Sequence, residues 1–168
     1  ETINKQFEGL LETAKKGMNT NSSFLVVVDS SSSMTSTVPG TKVSAYSVAK
    51  SMALFFSYLL KGPFADTFMQ FANDATLLKW KGETPVQRLQ NDRCEAYGST
   101  NFQGVTSVFC NLKKQGVPES EFPTGILCIS DGCFNYSGNN KAETKSMLAY
   151  MKQYGFSDEF IKNFKIVL

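Results

Sequence analysis

Phe24-Leu25-Val26-Val27-Val28 is an unbroken apolar run, rich in β-branched residues, and it stops abruptly at Asp29 and a row of serines. A strand with one wet face alternates polar and apolar residues. An unbroken run suits a central parallel strand covered on both sides by helices. Ile126-Leu127-Cys128-Ile129 has the same form and ends at Ser130-Asp131-Gly132.

Elsewhere the period switches to helical. Residues 3–14 carry Ile3, Phe7, Leu10, Leu11 and Ala14 as one stripe, with Gly17 as a stop. Residues 41–60 place Ala45, Val48, Ala49, Met52, Phe55, Phe56 and Leu59 on one side, ahead of Gly62-Pro63. Residues 67–72 and 76–80 read as two strands joined at the turn dipeptide Asn73-Asp74. Residues 81–97 are polar and irregular, with a short helix near 86–89. Phe102, Val105, Val108, Phe109 and Leu112 mark another helix, closed by Gly116 and Pro118. Met147, Leu148, Met151 and Tyr154 mark one more, Ser157 caps a short further helix, and residues 164–168 begin a strand.

Strands alternating with helices of this length call for a mostly parallel sheet with helices on both faces. The expected fold is α/β, Rossmann-like and doubly wound, with one antiparallel edge strand from the hairpin. At 168 residues the chain fits one domain. Residues 1–20 are read as an N-terminal helix packing on a domain of residues 21–168. Because the chain starts at Glu1 and stops at Leu168 inside a core strand, it is expected to be C-terminally incomplete, part of a larger chain or assembly.

Composition narrows the function. With 42% hydrophobic residues, 19% charged and a net charge of +2, the chain lacks the strongly basic face of a nucleic-acid binder. Lys15-Lys16 and Lys113-Lys114 read as the cationic last turns of helices. The absence of histidine rules out a Ser-His-Asp or Cys-His nucleophile and the usual His-ligated zinc sites. No apolar run is long enough to span a bilayer. Cys94, Cys110, Cys128 and Cys133 show no CxxC spacing, and Cys110 and Cys128 read as small buried hydrophobes. A reduced, intracellular and cytoplasmic protein is the preferred reading. The sequons at Asn21 and Asn135 are too short to shift it. Cys133 lacks an obvious base and is read as inert.

Ligands of open parallel sheets sit outside the carboxyl ends of the strands. Three polar clusters fall there: residues 29–33, Gly98-Ser99-Thr100-Asn101, and Ser130-Asp131-Gly132. In a turn leaving a strand, residues two apart can point the same way, so Asp29, Ser31 and Ser33 can converge. Two carboxylates and several hydroxyls form a hard, weakly charged oxygen set, which matches Mg²⁺, or Mn²⁺ in its place.

Asp29-x-Ser31-x-Ser33 after a buried strand resembles the metal-ion-dependent adhesion site of von Willebrand factor A (vWA) domains. Thr100 matches the family's threonine on the second loop, and Asp131 its aspartate on the third. The resemblance covers residues 24–168 and is greatest to intracellular members such as the vWA domain of the Ro ribonucleoprotein. It implies that Ser31, Ser33 and Thr100 touch the metal through their hydroxyls, while Asp29 and Asp131 hold metal-bound waters or the serines. It further implies a non-enzymatic binding module whose Mg²⁺ takes an Asp or Glu from a protein partner. Two other functions are compatible with the same residues: a Mg²⁺-dependent hydrolase, and a structural subunit of a ribonucleoprotein or viral particle with a stabilising or vestigial metal site.

Overall fold

A computed structural model of the chain describes residues 2–17, 23–92, 96–132 and 140–168. Its elements are α1 (Thr2–Gly17), β1 (Phe24–Asp29), α2 (Ala45–Ser57), β2 (Thr67–Phe71), β3 (Ala75–Lys79), α3 (Pro85–Asn91), α4 (Gln103–Lys114), β4 (Gly125–Ile129), α5 (Asn140–Gln153), α6 (Asp158–Asn163) and β5 (Lys165–Val167). The strands form one sheet in the order β3-β2-β1-β4-β5. β1 runs parallel to β2 and β4, and β4 parallel to β5, whereas β2 and β3 pair antiparallel. This is the Rossmann-like α/β architecture expected, antiparallel edge strand included.

The unbroken apolar run of β1 has the physical role its pattern demands. Leu25 and Val27 join Met69, Phe71 and Ile126 on the face covered by Val105 and Phe109 of α4 and Met147 and Met151 of α5. Val26 and Val28 join Phe68 on the opposite face, under Ala49, Ala53 and Leu54 of α2. Each such side chain contributes about 1.5–3 kcal/mol by leaving water, and β1 does so on both faces. α1 packs outside α2, with the Phe7 ring 5.9 Å from Phe55 and 5.4 Å from Tyr58.

The two ends of the sheet differ in chemistry. Phe64, Phe122 and Phe164 stand just before β2, β4 and β5. With Phe109, Phe156 and Phe160 they form a ring cluster whose centroids lie 5.0–6.4 Å apart. That end carries an aromatic cluster, and the loops of residues 29–33, 98–101 and 130–132 lie at the other.

Local details amend the sequence reading in two places. Helical periodicity reaches back to residue 41, but α2 starts at Ala45. Residues 37–44 instead form a small loop closed by the Thr37–Ser44 bridge and by Val38 N donating to Val43 O, and the Ser44 hydroxyl caps Ser47 N. The short helix near 86–89 spans Pro85–Asn91, because Pro85 sits in its first turn and Thr84 and Gln87 close a reciprocal capping box. The cap expected of Ser157 is present, accepting from Phe160 N at 3.1 Å. Lys15-Lys16 and Lys113-Lys114 occupy the last turns of α1 and α4.

Cys110 and Cys128 are buried free thiols, as expected. Cys94, Cys133, the segment of residues 19–22, the two sequons and the loop of residues 133–139 lie outside the described residues, apart from Ser23. Among the described residues no helix is long and apolar enough to cross a membrane.

Candidate functional site

From β1 the sheet grows outward both ways, to β2 and β3 on one side and to β4 and β5 on the other. Such a reversal of strand order opens a crevice at the carboxyl ends of the strands, and ligands of these folds bind there. Asp29 is the last residue of β1. The register pairs Val28 with Ile129, so Asp29 and Ser130 leave the sheet side by side.

Asp29 is fully buried. Its Oδ1 accepts from Ser31 N at 2.8 Å, and its Oδ2 accepts from the Ser130 hydroxyl at 2.5 Å. No lysine or arginine among the described residues pairs with it. A carboxylate held this way has its lone pairs partly satisfied but no opposite charge to offset burial.

Beyond Asp29 the chain turns sharply. Ser30 is pinned by its own backbone N–H and hydroxyl, both donating to Phe71 O at 2.8 and 2.9 Å. Residues 32–35 form a single 3₁₀ turn, anchored by Met34, which is buried in the core under α2. Ser31 stands at the start of that turn without capping it. Its hydroxyl lies 3.1 Å from that of Ser33, so the expected convergence of these two side chains is present. Ser31 is buried and Ser33 exposed, which places the pair at the surface of the crevice.

The second loop is stitched to the first by Tyr97 N donating to Ser30 O at 2.6 Å and Ser32 N to Gly98 O at 3.4 Å. It is stitched to the β2–β3 turn by Asn101 N donating to Ala72 O at 2.8 Å. The Asn73 Oδ1 accepts from both Ser99 N, at 2.9 Å, and the Ser99 hydroxyl, at 2.7 Å. Thr100 is only 4% exposed, yet its hydroxyl makes no hydrogen bond to any described residue. On the third loop the Ser130 hydroxyl also accepts from Gly132 N at 3.1 Å, and Asp131 is exposed.

The structure thus brings Asp29, Ser31 and Ser33 into one hydrogen-bonded group, seats Thr100 on the adjoining loop, and puts Asp131 one residue past the Asp29 partner Ser130. Sequence reasoning missed the direct roles of Ser130 and Asn73. Ser130 follows a buried strand as Asp29 does, but only the β1–β4 pairing makes them neighbours.

Among the described residues no three His, Cys, Asp or Glu side chains gather as a metal-holding cluster. A cation here would therefore rest mainly on hydroxyls, with Asp29 supplying the buried negative charge it offsets. That donor set fits a hard ion such as Mg²⁺ and not zinc. The Cys128 thiol, also at this end of the sheet, is pushed well above its ordinary range by burial and then by the charge of Asp29. It stays protonated and is not a nucleophile.

No family model matches the chain, and no curated protein does.

Proposed function

We propose that this chain is a vWA-type domain whose three loops hold one divalent cation, Mg²⁺ with Mn²⁺ able to replace it. Ser31, Ser33 and Thr100 would offer hydroxyl oxygens, and Asp29 and Asp131 would hold metal-bound waters or orient the serines. The observation that carries the proposal is the fully buried Asp29 at the strand-order reversal, without a cationic partner among the described residues and beside the paired hydroxyls of Ser31 and Ser33. A buried carboxylate next to convergent neutral oxygens is balanced by a cation, which can keep part of its water shell on the open side of the crevice.

Few protein charges would surround that cation, so it stays attractive to an anion. Its role is to take an Asp or Glu carboxylate from a protein partner, which makes the chain a binding module and not a catalyst. An intracellular, cytoplasmic setting within a larger assembly is part of this proposal. The free thiols of Cys110 and Cys128 accord with it.

The test is partner capture from cell extract with and without chelator, using wild type and Ser33→Ala. The wild type should release its partner on chelation, and amidation of the partner's carboxylate should weaken capture. A complex that survives chelator and tolerates Ser33→Ala would overturn the carboxylate-capture role.

A further inference from the structure

We infer that Asn73, in the turn between β2 and β3, is a positioning residue that sets the cation affinity of the site by holding Thr100 in place. The inference rests on the cation reading above.

Thr100 lies between two residues that are both fastened to the same short stretch of the hairpin. On one side, Ser99 gives its backbone N–H and its hydroxyl to the Asn73 side-chain oxygen, at 2.9 and 2.7 Å. On the other, Asn101 gives its side-chain N–H to Asn73 O at 3.1 Å and its backbone N–H to Ala72 O at 2.8 Å. Thr100 makes none of these bonds. Its neighbours are bonded to the hairpin, while its own hydroxyl bonds to no described residue and stays available to a ligand.

Packing gives the same answer independently. Gly98 has φ +85, and a Cβ there would stand 2.9 Å from the Asn73 Oδ1. A side chain at Gly98 would be strained by the positive φ and would push the Asn73 amide out of its bonded position. Gly104, in the first turn of α4, is equally tight, its added Cβ 2.9 Å from Ala75 N. The hairpin turn is therefore the seat for both the loop and the helix that follows it.

A loop released from that seat would spend part of its time with Thr100 displaced from its place beside the first loop, to which Tyr97 and Gly98 tie it. Apparent affinity falls by the fraction of time the competent arrangement is lost. Asn73→Ala removes two hydrogen bonds from the folded loop and should weaken Mn²⁺ binding about tenfold.

A structural role in general and a role through Thr100 are separated by a double-mutant cycle. Mn²⁺ affinity is measured by electron paramagnetic resonance for wild type, Asn73→Ala, Thr100→Ala and the double variant, all on the full chain, with circular dichroism of each. Thr100→Ala should weaken binding, and adding Asn73→Ala to it should change little further, by less than about twofold. If Asn73→Ala does not fold, Ser99→Ala takes its place in the same cycle, with a smaller loss.

Wild-type affinity in the single hairpin variant, or losses that multiply in the double variant, would overturn the role of Asn73 and leave the cation site standing. A wild-type chain that binds no Mn²⁺ would overturn the cation reading and this inference with it.

Discussion

The Ser130 hydroxyl donates to the Asp29 Oδ2 at 2.5 Å, joining the carboxyl ends of two adjacent parallel strands through a buried carboxylate. Backbone pairing between β1 and β4 ends at Val28 and Ile129. This side-chain bond carries the connection one step beyond the ladder, into the loops.

Ser130→Ala should therefore cost more than a surface serine would. It leaves one buried carboxylate oxygen without its partner, a loss of about 1–3 kcal/mol. Urea denaturation in the presence of chelator measures it. A change within about 0.5 kcal/mol, the range of an ordinary surface substitution, would show that the bond is not needed for stability.

Asp29→Asn keeps the shape of the side chain and removes its charge. Wild type should gain about 2.7 kcal/mol of stability at a Mg²⁺ concentration one hundred times its dissociation constant. The variant should gain almost none. Thermal melts with and without MgCl₂ decide the matter, and an equal rise in both proteins would place the cation elsewhere.

Lys50 is a buried lysine of α2, paired with Asp92 at 2.5 Å and lying 4.0 Å from the centre of the Phe68 ring. Replacing it by Met retains much of its stem but takes the buried ammonium away from the Asp92 carboxylate. The expected loss is about 3 kcal/mol, with much of it recovered in a Lys50→Met, Asp92→Leu double variant. Chemical denaturation of the three proteins checks both parts.

Glu119 gives a pH-dependent signature at the far end of the sheet. The Ser157 hydroxyl, then its backbone N–H and Lys113, hold the Glu119 carboxyl below its ordinary range, against a burial that acts the other way. A depressed folded value means stability that is present above the unfolded value, about 4.3, and lost as pH falls through the folded one. The urea midpoints of wild type and Glu119→Gln should differ most near neutral pH and converge in acid. A gap that widens on acidification would contradict the sign.

Much of this fold is legible in local pattern. The run at residues 24–28 has no polar alternation because both faces of β1 are covered. Asn73-Asp74 turns the β2–β3 hairpin, and Ser157 caps α6. What local pattern cannot supply is which strands become neighbours. Asp29 and Ser130 are 101 positions apart, and their bond depends on β4 choosing the free side of β1. Asn73 reads as a turn residue, and its second use as a clamp depends on a loop 26 positions away. Helical periodicity before Ala45 misleads for a related reason, since the Thr37–Ser44 bridge competes for the same backbone.

The central place of β1 has a consequence for the order in which the chain matures. Its partners on either side come from far along the sequence, and contacts of such separation form slowly because the intervening chain must first be closed. The serine turn can exist early, whereas the grip on Asp29 from the third loop arrives only with β4. Any ligand that needs that grip discriminates finished molecules from nascent ones. A peptide carrying residues 24–35 alone would bear the motif and lack the site.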